Sequence, residues 1–261
     1  MPEPAPRDIR ELILTVAREQ EPKRPIDSSL QVGTLFRGVA DQLGLRSSQD
    51  LEQDILTQWH DLLRTGYFAW GFNLSNPGSP FFHFTSRGHR AVERLSRDPG
   101  NPAGYLRHLT EVAKLNDISH SYLSEGLDCF VAGLYKAAAV MLGAASESQI
   151  LELRDTTKRR LVQVGIAESK GLSDWRVKTV LDSLHGLLDS KKRDFSKELR
   201  EEFEAYWLAF AQQIRTTRNE AGHPCSIDPV REEAVHASFL VFPEFARLCS
   251  NLGAWISDNL R

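Results

Sequence analysis

The sequence predicts a mainly α protein of two domains, the first containing a β-hairpin and the second an antiparallel helical bundle. Three observations carry this. Apolar residues recur at three- and four-residue steps along most of the 261-residue chain. Two short aromatic runs, YFAWGFN (67–73) and FFHFT (81–85), flank the turn-rich SNPGSP, and this is a hairpin signal. Finally, DPGNPAG (98–104) places two prolines and two glycines in seven residues, which reads as a linker or hinge.

Composition bounds the function classes. Hydrophobic residues make up 41% and charged residues 26%, ordinary for a soluble globular chain. The net charge of -3 supplies no global field that would draw the protein to nucleic acid. Cys129, Cys225 and Cys249 form no C-x-x-C pair, which argues against a disulfide framework or zinc site and fits a reducing compartment. MPEPAPRDIR has no apolar core, so no secretory signal is expected. The longest apolar stretch, 129–145, is interrupted by Lys136 and too short to span a bilayer. A cytoplasmic protein without a membrane partner is expected.

The first helix is expected over RDIRELILTVAREQ, where Ile9, Leu12, Ile13 and Val16 share helical spacing. Pro22 and Pro25 break it. A second helix runs through Leu35, Phe36, Val39 and Leu43 to a stop at Gly44. Ser47 or Ser48 can cap a third, with Leu51, Ile55, Trp59 and Leu62 or Leu63 on one face and Gly66 at its end. The hairpin follows, then a fourth helix with Ser86 as possible cap. Three helices and a hairpin resemble a winged helix-turn-helix over residues 7–97. The domain is set at 1–98, with a linker and connecting helix at 99–115 and the bundle at 116–261.

The bundle begins with a stretch free of proline for almost fifty residues, expected as two long helices or one bent one. A helix with Ser173 as candidate cap comes next. A long amphipathic helix then presents Phe203, Tyr206, Trp207, Phe210 and Ile214 on its apolar face. Asp228-Pro229 is expected to cap and open the last helix, which should kink near Pro243. Small residues between Ala132 and Ala145 allow close helix packing inside the bundle.

RNEAGHP (218–224) carries the chemistry-bearing pair. The Arg-x4-His spacing occurs twice, at Arg218/His223 and Arg231/His236, so spacing alone does not select one. In a straight helix such residues diverge by about 140°. Gly222 suits the left-handed position after a helix end, and Pro224 pushes His223 out of helical conformation. A break there frees both side chains to face one pocket, whereas Arg231 and His236 are expected inside one helix.

LYKAAAVMLGAASESQILEL (134–153), followed at a distance by RNEAGHP, resembles the HEPN superfamily of helical bundles over about residues 105–261. Arg218, Asn219 and His223 match its motif in order. Glu147 stands where members often carry a polar or acidic site residue, and a structural or interface role for it stays open. Asn219 either orients His223 or caps the helix end. The resemblance implies a metal-independent endoribonuclease of toxin or antiviral type. It acts as a homodimer, with RNA as substrate and no cofactor. Histidine can move the 2′-hydroxyl and leaving-group protons near neutral pH, and arginine can hold phosphate oxygens. Some members carry a modifiable tyrosine two places after the histidine; Cys225 stands there in this chain, so that control is not expected. The alternative is a non-catalytic module that docks a protein partner through the winged-helix-like domain or regulates a defence system.

The third helix, with Asp50, Glu52, Asp54 and Asp61 against Arg64, would repel DNA phosphates. Arg87, Arg90, Arg94 and Arg97 fall at helical spacing on the fourth. They form either a solvated face or an RNA-backbone patch, which KRR (158–160) and KKR (191–193) could extend.

Overall fold

The computed structural model describes residues 6–21, 29–44, 48–93, 95–222 and 230–261, with the backbone alone at Pro6 and over 211–222. These residues form ten α-helices and a three-stranded antiparallel sheet. The chain divides into two compact units, Met1–His108 and Leu109–Arg261. The division falls within a helix, α5 (Pro102–Val112), rather than at the Pro/Gly-rich segment before it.

The first unit runs α1 (Pro6–Gln20), β1 (Leu30–Gln31), α2 (Val32–Leu43), α3 (Gln49–Arg64), β2 (Phe68–Trp70), β3 (Phe81–Phe84) and α4 (Ser86–Glu93). The two aromatic runs pair as expected, with Phe68 opposite Phe84 and Trp70 opposite Phe82. The sheet order is β1-β3-β2. Strand β1 is an addition to the sequence reading. Two residues cannot show an alternation, and pairing with β3, Leu30 opposite Phe82, defines it.

Ile9, Ile13, Leu35, Val39, Ile55 and Leu62 bury the apolar stripes of α1, α2 and α3 against the sheet. Trp59 takes the centre, its ring 5.8 Å from that of Phe36, 5.2 Å from Phe68 and 4.8 Å from Phe82. Ser48 caps α3 by accepting the Leu51 N–H. Gly44 ends α2 in the left-handed conformation at φ 63. At α4 the cap is Thr85, whose hydroxyl accepts the Gly88 N–H, and not Ser86, the first helical residue.

Segment 98–104 is not an exposed linker. Asp98 and Asn101 are buried, and the Gly100 N–H donates to Asp98 Oδ1 at 2.7 Å. Asn101 Nδ2 donates to the Leu95 carbonyl at 2.7 Å, and Arg10 Nε to the Gly100 carbonyl at 3.3 Å. Proline and glycine do break the helical pattern, but the polar side chains satisfy the broken backbone internally. The result is a packed corner.

The second unit contains α6 (Asp117–Val131), α7 (Tyr135–Gln163), α8 (Val177–Lys191), α9 (Lys197–Gly222) and α10 (Glu232–Asn259). Helix α7 is the hub, packing against α6, α8, α9 and α10. The small residues serve that packing: Ala138, Ala139 and Ala145 are buried, and a Cβ at Gly126 of α6 would stand 3.2 Å from Met141 Cβ. Ala132 and Gly133 lie before α7, in the turn that folds it back on α6.

Three expectations change here. Ser173 closes a short 3-10 turn, where it accepts from Lys158 Nζ and donates to Glu168. Helix α8 begins later, after Arg176. Tyr206 is 48% exposed while Phe203, Trp207 and Phe210 are buried, so the apolar face of α9 is narrower than its spacing suggested. Helix α10 begins at Glu232 and runs through Pro243. Asp228 and Pro229 lie outside the described residues, as does the side chain of Ile214. No helix among the described residues is long and apolar enough to cross a membrane.

Candidate functional site

Arg218 and Asn219 fall within the last five residues of α9, which extends through Gly222. Gly222 is thus itself helical and not the residue beyond the helix. His223, Pro224 and Cys225 lie outside the described residues, as do the side chains of Arg218 and Asn219. The other pair also differs from expectation. Arg231 precedes α10 with extended dihedrals, φ -78 and ψ 142, while His236 is helical. Arg231 and His236 therefore do not lie inside one helix as expected. His236 is half-buried, its ring 6.0 Å from that of Phe130.

Glu147 lies on α7 and is half-buried. Its neighbours are committed to the fold. Ser146 donates back to the Leu142 carbonyl at 2.9 Å, and Ser148 donates to Asn116 Oδ1, also at 2.9 Å. Asn116 in turn caps α6 by accepting the Ser119 N–H. The polar SES segment therefore ties α7 to the start of α6. Helix α7 also packs against α9, which carries Arg218.

The four-arginine stripe does not exist as read. Helix α4 ends at Glu93, so Arg97 lies in the turn after it, and Arg94 is outside the described residues. Arg87 points back into the fold, donating to the Thr65 carbonyl with its guanidinium 4.4 Å from the Tyr67 ring centre. Arg90 is exposed. The basic clusters of the second unit are engaged as well. Lys158 pairs with Glu168, and Arg159 with Glu152 at 3.6 Å. Lys192 pairs with Asp189 and Glu204, and Lys191 donates to the Arg261 carbonyl.

On α3 the exposed residues include Glu52, Gln53, Asp54, Thr57 and His60, with Leu56 42% exposed among them. Asp61 is occupied by Arg10 and Arg64.

A site that sequence reasoning missed lies in the second unit. A cleft of about 520 Å³ opens between α7, α10 and the segment before α6. Gln149, Thr156, Arg159 and Arg160 line it from α7, with Lys114 and Ser250 opposite. Gln149, Thr156 and Arg160 recur at helical steps as a polar stripe on a bundle helix; that was the available signal. Cys249 also lines the cleft, and burial pushes its thiol well up, so it remains protonated and is no thiolate nucleophile. Among the described residues no group of three or more His, Cys, Asp or Glu could hold a metal ion. The chain matches no protein-family model, no curated protein and no solved structure.

Proposed function

We propose that the chain is a metal-independent endoribonuclease of HEPN type, of the toxin or antiviral class, with a winged-helix-like first domain. One observation carries the reading. The 26-residue α9 packs on α7, the alanine-rich helix, and brings Arg218 and Asn219 to its final turns, directly before His223. The α1-β1-α2-α3-β2-β3 order, with sheet order β1-β3-β2, supports the winged-helix part.

In this mechanism His223 takes the 2′-hydroxyl proton or supplies one to the leaving 5′-oxygen, since an imidazole titrates near neutral pH. Arg218 holds the phosphate oxygens as negative charge grows on them. A homodimer supplies two such pairs, so acid and base need not come from one chain. Arg87 is held by Thr65 and Tyr67 and has no part here, whereas Arg90 and Arg97 are exposed and remain candidates for the RNA backbone. The test is incubation with total RNA in EDTA, beside His223→Ala. Wild type is expected to cleave and the variant to lose nearly all activity; equal cleavage by both rejects the assignment.

A second reading is a non-catalytic module that docks a protein partner. The exposed face of α3 favours it, because Leu56 stands there beside carboxylates that repel phosphate. No RNA cleavage by wild type, with a protein complex lost in Leu56→Asp, would select this reading.

A further inference from the structure

We infer that the cleft between α7, α10 and the segment before α6 binds a small phosphate-bearing molecule of sugar-phosphate type. The proposal rests on the cleft's own residues and does not depend on the ribonuclease reading. Its first support is Gln149. This residue lines the cleft, is only 4% exposed, and its Nε2 atom is buried without a hydrogen-bond partner. A buried amide donor left unmade is costly, and turning the amide towards the cleft would let a ligand oxygen satisfy it.

Charge is the second support. Among the described residues, Lys114, Arg159 and Arg160 line the cleft against one carboxylate, Glu152. Three cations against one anion leave an excess that matches a phosphomonoester, which carries about two negative charges at neutral pH.

These cations are positioned. The Lys114 N–H donates to Ser250 Oγ at 3.1 Å, and Ser250 Oγ donates to the Lys114 carbonyl at 3.2 Å. That clamp fixes the segment to α10. Arg160 is held by its Nε, which donates to the Leu260 carbonyl at 2.9 Å, so its terminal nitrogens are oriented by the fold. Gly253 and Ala254 form part of the α10 wall and leave space. The cleft volume, about 520 Å³, lies in the range of small-molecule sites. Among the described residues its lining contains no aromatic side chain on which a base could stack; it offers the Thr156 hydroxyl, and the Ser250 and Ser257 oxygens, whose protons go to backbone carbonyls, as acceptors. Phosphate and sugar hydroxyls are therefore the groups this site can recognise.

Calorimetric titration of the full chain with ribose 5-phosphate tests the proposal, with ribose, inorganic phosphate and a 3′-phosphorylated oligonucleotide as parallel arms. Ribose 5-phosphate is expected to bind at roughly millimolar affinity or better, more tightly than inorganic phosphate, and ribose not at all. Lys114→Ala and Arg159→Ala should each weaken binding by roughly tenfold or more. Gln149→Leu should weaken it similarly while leaving the thermal midpoint unchanged or higher, because a buried unpaired amide is removed. Absence of binding by any phosphate probe overturns the proposal, as does undiminished binding by Lys114→Ala and Arg159→Ala. Oligonucleotide binding as tight as that of ribose 5-phosphate assigns the cleft to strand phosphates and overturns the small-molecule form. A Gln149→Leu variant that loses stability but keeps full affinity makes that side chain structural and removes the first support.

Discussion

Arg10 is among the most buried charged residues of the first unit, 2% exposed, with its guanidinium 4.6 Å from the Tyr67 ring centre. It bonds Asp61 at 3.1 Å and the Gly100 carbonyl at 3.3 Å. Burial lowers its affinity for the proton, and Tyr67 and Asp61 oppose that shift. Arginine remains protonated in such a place where lysine would not. Arg10→Ala leaves Asp61, part of whose surface reaches water, and the Gly100 carbonyl without this donor. A loss of about 2–4 kcal/mol is expected in urea unfolding monitored by tryptophan fluorescence. The pair Asp174–Arg176, with an exposed guanidinium and a half-buried carboxylate, behaves differently. Hydrogen bonds from the Arg176 guanidinium and N–H hold the Asp174 carboxyl down at about 2. Because the folded value lies below the ordinary one of about 3.9, this stabilisation is present above that value and is lost as the pH falls towards 2. Carboxyl chemical shifts should move the Asp174 midpoint up towards its ordinary value in Arg176→Ala without reaching it, because the backbone N–H at that position still donates to the carboxylate. The Arg10–Asp61 pair was not legible beforehand, since the two residues are 51 apart in the chain and meet only in the folded unit.

At the scale of elements, α4 shows why an interior glycine can be required. A Cβ at Gly88 would run into the Tyr67 carbonyl oxygen and stand 2.9 Å from the Phe84 ring. Gly88→Ala gains helix propensity but should still destabilise the first unit by about 2–3 kcal/mol, read by thermal unfolding. The cap of α3 is a smaller effect: Ser48→Ala removes the acceptor for the Leu51 N–H and should cost about 1 kcal/mol. The corner at 98–104 makes a qualitative prediction. Its backbone is buried and hydrogen-bonded, so limited digestion with a broad-specificity protease should spare it in the native protein. Cutting there first would show that the corner opens easily. Most helices were legible because their stripes follow the 3.6-residue period; Leu35, Val39, Ile55, Trp59 and Leu62 are all buried as that period requires. Strand β1 was not, because its two residues become a strand only through Phe81 and Phe82.

For the whole molecule, the ribonuclease proposal makes a prediction about concentration. If acid and base come from two subunits, specific activity against RNA should fall as the protein is diluted below its dimer dissociation constant, in parallel with dissociation seen by sedimentation. Activity that stays constant in a monomer would reject the shared site. The sequence by itself determined the helical class, the order of most elements, the hairpin and the Arg218–His223 candidate, because periodicity, turn chemistry and motif spacing are local. Only the tertiary structure decided that Arg87 serves Thr65 and Tyr67 rather than a basic face, and that the Pro/Gly segment is a packed corner. It alone brought Gln149, Arg159 and Arg160 into one cleft with Lys114. The physical reason is the same in each case. A polar group's role is set by which partner burial brings within hydrogen-bonding distance, and that partner stands far away in the chain.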